Sequence, residues 1–174
     1  MVIFFDIDGV VRSLFLDGRE PDTWMHRNEN GHTICDRIDS DLSILENAPE
    51  LPGYIEVCRY LSSHIIMLSH QPDVWRPYTD RWMAKHLPSI RKSIYVKDAE
   101  QKVDYIESFR DSVLVDDSPL LPVHDRIVLV DRKYNRHVNS LNRVCSPLEL
   151  VISLNKKLGF ILLKRFLEKT GGGR

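Results

Sequence analysis

Five short apolar runs punctuate the chain: VIFFD at 2–6, HIIMLS at 64–69, SIYVK at 93–97, SVLVD at 112–116 and IVLVD at 127–131. They are continuous rather than alternating, as expected of strands covered on both faces of a parallel sheet. Helical patterns fill the gaps. Residues 52–63 place Tyr54, Val57, Cys58 and Leu61 on one face, 78–87 carries Trp82 and Leu87, and 99–109 carries Val103, Ile106 and Phe109. Strands alternating with helices predict an α/β fold with a doubly wound, parallel, five-stranded sheet.

The rhythm breaks between residues 12 and 48. This stretch is polar and irregular, with turn signals at Asp17-Gly18 and Asn30-Gly31. It reads as a small insertion after the first strand, a hairpin or lid followed by a short helix around 41–47. Trp75, Tyr78 and Trp82 recur at helical spacing and read as core. Pro77 blurs the start of their helix. Residues 146–168 predict one or two further helices. Their stripe Phe160, Ile161, Leu163, Phe166 and Leu167 is most simply a docked terminal helix, with a homodimer contact as the alternative. The tail 171–174 reads as disordered. The whole is expected to be one domain over 1–170, with 12–48 as its cap.

Composition changes this picture only by exclusion. The 174 residues suffice for one domain with a proper core, and a formal net charge of −1 gives no case for coating nucleic acid or a membrane surface. No apolar run is long enough to span a bilayer. Cys35, Cys58 and Cys145 are scattered and form no Cys-x-x-Cys pair. That argues against a disulfide framework or zinc site and for a reduced, cytoplasmic setting. Met1 is followed at once by a strand-like run without a basic region, so no signal peptide is expected.

The chemistry gathers at strand ends. The first strand closes on Asp6 and Asp8, the second on Ser69, and the fourth on Asp116 and Asp117, while Lys102 opens the helix leading into the fourth. Open α/β sheets bind ligands beyond the carboxyl ends of their strands. Carboxylates delivered there from separate strands repel one another unless a cation or a proton-transfer task holds them together. Mg²⁺, a hard cation that takes one or two carboxylates, waters and a substrate phosphate, resolves the conflict.

With these motifs in this order, DxDGV after an apolar run, a strand ending in Ser69, Lys102 and VLVDDSP at 113–119, the chain resembles the haloacid dehalogenase superfamily of phosphohydrolases from end to end. The resemblance implies the Rossmann-like fold of that family and Mg²⁺-dependent hydrolysis of a small phosphate monoester. Asp6 would be the nucleophile that forms an aspartyl-phosphate, and Asp8 the acid and base. Ser69 and Lys102 would hold the phosphoryl oxygens, although Lys97 also lies within reach of the strand ends. Mg²⁺ would rest on Asp6, Asp8 (through its backbone carbonyl) and the acidic pair, with Asp117 favoured as direct ligand over Asp116.

A narrower resemblance is to the 5'(3')-deoxyribonucleotidase branch. It rests on LPGYIEVCRYL before the second strand, the Ser motif with a proline close behind, the helix YTDRWMAKHLP, and DRKYNRH at 131–137. It implies a 5'-(deoxy)nucleotidase, with phosphatase action on nucleic-acid 3' ends or another small phosphate as the alternative. A non-catalytic binding module is a third reading. That branch carries a larger helical cap than the short insertion here. Substrate contacts are expected at Gly9, His70, Trp24, Arg27, Tyr134, Asn135 and Arg136. Arg12, Arg19, His26 and His32 are further insertion residues that could meet a base, and Arg132 is balanced between surface and substrate.

Overall fold

The computed structural model describes residues 2–15 and 19–158. Strands β1 (Val2–Phe5), β2 (Ile65–His70), β3 (Ser93–Val96), β4 (Ser112–Asp116), β5 (Ile127–Val130) and β6 (Arg143–Val144) form one sheet in the order β3-β2-β1-β4-β5-β6. All neighbouring pairs are parallel. The order reverses at β1, so the crevice between β1, β2 and β4 is the switch point where α/β folds place ligands.

Side chains one residue apart point to opposite faces and build two cores. On one face Ile3, Phe5, Met67, Val115 and Val130 pack under α3 (Tyr54–Tyr60), α4 (Arg76–His86) and α6 (Pro147–Leu158) through Ile55, Cys58, Trp82, Leu150 and Leu154. On the other, Phe4, Leu68, Leu114 and Ile127 pack against Val103 and Ile106 of α5 (Ala99–Ser108). Phe4 meets Tyr105 and Phe109 edge-on, with centroids 6.1 and 5.6 Å away. Each apolar side chain buried this fully contributes about 1.5–3 kcal/mol.

The structure departs from the sequence expectation in two places. The sheet has a sixth strand, because Arg143–Val144 is held by polar anchoring rather than by an apolar run. The Arg143 guanidinium donates to Asp131 at 2.9 Å, to Asn135 Oδ1 at 2.7 Å and to the Val138 carbonyl at 2.7 Å. The insertion is the second. The short helix expected near 41–47 is α2 (Ser43–Asn47), and the described part adds another before it, α1 (Ile34–Ser40), where a hairpin or lid was expected. Thr33 caps α1 with a reciprocal box: its hydroxyl accepts from the Asp36 amide at 3.2 Å, and Asp36 accepts from the Thr33 amide at 2.7 Å. Ile38, Ile44 and Leu45 then form a small separate core with Trp75. The Asp17-Gly18 turn, the stripe at 160–167 and the tail lie outside the described residues.

Pro77 lies in the first turn of α4, where a missing amide costs nothing. The helix therefore starts slightly before the position that the proline suggested. Trp75 and Trp82 are buried, as their spacing predicted.

Candidate active site

Register brings the acids together. Phe5 of β1 pairs with Val115 of β4, and the Asp6 amide donates to the Val115 carbonyl at 2.9 Å. Asp6 therefore lies beside Asp116 and Asp117, and ligand oxygens of the three lie within 4.8 Å of one another. The chain then turns sharply at Gly9, whose φ is +73°. A Cβ there would collide with the Asp117 carboxylate and come within 2.7 Å of the Tyr134 hydroxyl. Only glycine fits both the left-handed backbone and the close approach.

Lys102 reaches in from the first turn of α5, which Asp98 caps by accepting from the Gln101 amide. Its Nζ is buried, 2.7 Å from Asp116 Oδ2 and 3.2 Å from Asp6 Oδ1. Burial alone would lower its pKa, but Asp116 and Asp6 outweigh that and raise it, keeping the ammonium charged. Lys97 is exposed, its side chain away from the cluster's buried interior. Asp6 and Asp116 thus share one lysine, while Asp117 lies beside them with Arg132 as the cation acting on it. Burial pushes Asp6 up to about 7, with Asp116 and Asp8 adding to the rise and Lys102 and the Ser69 hydroxyl opposing it. Asp117 is raised well above the usual carboxylate range by burial, then by Asp116 and Asp6.

The donor set suits a hard divalent cation. Asp6 Oδ1 is cut off from water and accepts no hydrogen bond, although it contacts Lys102. Asp116 has both oxygens engaged, by Lys102 and by the Ser118 amide at 2.8 Å. On Asp117, Oδ2 accepts from Tyr134, leaving Oδ1 without a protein donor in the described contacts. All-oxygen ligands around an orphaned carboxylate oxygen match what Mg²⁺ takes from proteins.

Above the acids lies a cavity of about 370 Å³. Asp6, Asp8, Gly9, Ser69, Lys102 and Asp117 form its polar floor, and Phe15, Trp24, Ile34 and Trp75 are among its apolar walls. His70 and Tyr134 also line it. Trp24 lies 5.3 Å, centroid to centroid, from Tyr134. The fold thus brings Asp6, Asp8, Gly9, Trp24, Ser69, His70, Lys102, Asp117 and Tyr134 to one cavity, with Asp116 beneath it.

Three expected substrate contacts are placed elsewhere. Arg27 is exposed and donates to the Gly31 carbonyl at 2.6 Å within its own loop. Arg136 is exposed and pairs with Asp131 at 3.1 Å. Asn135 is buried, its amide donating to the backbone carbonyls of Asp117 at 2.7 Å and Val130 at 2.8 Å. It braces the loop that carries Asp117. His26 and His32 are exposed and off the cavity wall.

Other residues of the site were not singled out as machinery. Arg12 is fully buried and grips Asp8 rather than facing a base, with Nε 2.7 Å from Oδ1. Gln71 donates to Asp8 Oδ2 at 2.6 Å. Arg132 is buried in the cavity wall, donating from Nε to the Gly9 carbonyl at 2.7 Å. In the sequence the DRKYNRH stretch marks Arg132 as a candidate substrate contact, whereas Arg12 is signalled by its place in the insertion beside Asp8 and Gln71 only by its nearness to Ser69. Spacing alone does not reveal that Arg12 and Gln71 meet at one carboxylate.

No family model matches the chain, and no curated protein matches it. Solved structures do. A HAD family hydrolase from Deinococcus radiodurans R1, with bound phosphate and sodium, matches at 12% identity and a TM-score of 0.55, over 90% of this chain and 95% of that one. A haloacid dehalogenase-like hydrolase from Burkholderia xenovorans LB400 matches at 16% identity and a TM-score of 0.56, over 90% and 97%. Spread over nearly the whole of each chain, and joined to the parallel sheet described above, this likeness gives the chain the Rossmann-like α/β fold of the haloacid dehalogenase hydrolases.

Proposed function

We propose that the chain is a Mg²⁺-dependent phosphomonoesterase acting on 5'-(deoxy)nucleoside monophosphates through an aspartyl-phosphate. The observation that carries this reading is Asp6 itself. Its carboxylate is on the cavity floor with one oxygen free of hydrogen bonds, beside a charged lysine and two further acids. The fold likeness supports a phosphatase-type hydrolase, and one of its members holds phosphate.

In the first half-reaction an Asp6 oxygen bonds to phosphorus while the bond to the leaving alcohol oxygen breaks. Asp8 gives that oxygen its proton. In the second half, Asp8 takes a proton from water as the water oxygen bonds to phosphorus. The phosphorus–Asp6 bond then breaks, freeing phosphate and the carboxylate. Lys102 and Ser69 offset or bind the charge on the phosphoryl oxygens. Asp6, Asp117 and the Asp8 carbonyl would hold Mg²⁺, with Asp116 behind them, and the ion would supply charge neutralisation for both carboxylate and phosphoryl group.

The outer chamber favours a nucleoside leaving group. Trp24, Trp75, Phe15 and Tyr134 offer aromatic surface at the wall, and about 370 Å³ is room for one small molecule rather than a nucleic-acid strand. Glu20 and Asp39 also face the chamber, which disfavours a substrate carrying further phosphates. Assaying phosphate release with Mg²⁺ from a panel of nucleoside monophosphates and from a 3'-phosphorylated oligonucleotide tests the reading. Preference for the oligonucleotide would overturn it in favour of end processing. No release from any ester would leave a binding module.

A further inference from the structure

The side chains around Asp8 form a closed ring that the proposed chemistry does not itself require. Arg12 donates from Nε to Asp8 Oδ1 at 2.7 Å and from Nη2 to Asp8 Oδ2 at 3.1 Å. Nη2 also reaches the Thr79 hydroxyl at 3.1 Å, and Nη1 the Leu45 carbonyl at 2.9 Å. Thr79 donates to Gln71 Oε1 at 2.8 Å, and Gln71 returns to Asp8 Oδ2 at 2.6 Å. Trp82 covers the guanidinium, its ring centroid 5.3 Å from Cζ. Arg12 and Thr79 are fully buried and Gln71 nearly so, whereas Asp8 opens to the cavity.

A buried guanidinium is costly, and well-packed apolar groups often stabilise a core as well or better. What a planar fork adds is geometry, because two parallel N–H bonds fix the plane of the carboxylate. The acceptor count is uneven. Oδ2 takes two N–H bonds and Oδ1 takes one, so Oδ1 keeps a lone pair for a proton. The ring also ties this carboxylate to α2 through Leu45 and to α4 through Thr79.

We infer that Arg12, Gln71 and Thr79 are positioning residues that lock the Asp8 carboxylate in plane and assign Oδ1 to proton exchange with the leaving group. This rests on the phosphatase reading above. Its signature is leaving-group dependence, since a phenolate weakened by a nitro group departs with little help, whereas an ordinary phenolate needs the aligned proton.

The test compares kcat/KM for phenyl phosphate and p-nitrophenyl phosphate in the Mg²⁺-loaded enzyme and in Gln71→Met, Thr79→Val and Thr79→Ser. Misaligning a general acid should cost up to about 100-fold on phenyl phosphate. The nitrophenyl ester should change only severalfold, with melting temperatures near that of the parent. Thr79→Ser, which keeps the hydroxyl, should recover the phenyl phosphate rate. Equal losses on the two esters, no loss on either, or equal behaviour of Thr79→Val and Thr79→Ser would overturn the inference alone. A parent enzyme that releases phosphate from neither these esters nor any nucleoside monophosphate would overturn the phosphatase reading and this inference with it. In a parent that takes nucleotides only, unchanged nucleotide hydrolysis by Gln71→Met and Thr79→Val would overturn the inference alone.

Discussion

Gly9 and Asp117 occupy adjoining space so tightly that no side chain fits between them. Gly9 turns with φ of +73°, and a Cβ at that position would run into the Asp117 carboxylate. The turn that follows the proposed nucleophile is therefore shaped around a proposed metal ligand just past the end of β4. Gly9→Ala should cost about 1–2 kcal/mol for the left-handed backbone alone. It should also displace Asp117. Thermal melting with and without Mg²⁺ checks both effects: the midpoint should fall, and the Mg²⁺-induced rise should shrink. An unchanged Mg²⁺ response would separate Gly9 from the acid cluster.

Tyr134 holds the same acid at the same oxygen that crowds Gly9, donating its hydroxyl to Asp117 Oδ2. Partners behind a metal ligand typically contribute about 10- to 100-fold in metal affinity. Tyr134→Phe removes one oxygen and leaves the ring beside Trp24. Calorimetric titration should show Mg²⁺ binding weakened by that order, with little change in melting temperature once Mg²⁺ saturates. Unaltered affinity would leave Tyr134 as a wall residue only.

The crowded acids predict how the metal-free protein responds to pH. The Asp6 pKa is raised to about 7, mainly by burial, and that of Asp117 well above its usual value for the same first reason. The folded state thus binds protons more tightly than the unfolded chain. This contribution is complete below the unfolded carboxylate range and lost as pH rises through about 7. In EDTA, melting temperature should fall between pH 6 and pH 8, and Asp117→Asn should flatten the slope. A metal-free protein equally stable across that range would contradict the arrangement.

The cavity wall separates two insertion residues that the sequence grouped together. Trp24 lines the chamber, whereas Arg27 turns back onto Gly31. Trp24→Ala should lower kcat/KM for nucleoside monophosphates by about tenfold, the worth of roughly 1.4 kcal/mol of stacking, while sparing p-nitrophenyl phosphate. Arg27→Ala should change neither. Steady-state kinetics on both substrates decides, and the reverse pattern would move recognition out of the aromatic wall.

Much of this was legible in the chain because parallel strands buried on both faces leave continuous apolar runs. Val2–Phe5, Ser112–Asp116 and Ile127–Val130 announce themselves, and so do the acids placed at their ends. Arg143–Val144 did not, since a two-residue strand held by guanidinium bonds has no hydrophobic period to read. Helix α1 was hidden for a related reason. It buries one residue, Ile38, and depends on the Thr33–Asp36 box for its start. The ring around Asp8 was the least visible. Arg12, Gln71 and Thr79 come from the insertion, the loop after β2 and α4, and polar residues so scattered look solvated until the fold encloses them. The helix-start position of Lys102 favoured it over Lys97 in the sequence, and burial and the ion pairs to Asp6 and Asp116 separate the two in the structure.

The central claim is that Asp6 attacks phosphorus. A crystal structure of the enzyme grown with Mg²⁺ and beryllium fluoride, which mimics a phosphoryl group on a carboxylate, tests it most directly. The account predicts a trifluoroberyllate bonded to an Asp6 oxygen, with Lys102 and Ser69 on its fluorines and Asp117 on the metal beside it. Beryllium fluoride bonded to Asp117 or Asp8 instead, or absent from Asp6 in an enzyme that hydrolyses phosphate esters, would contradict it.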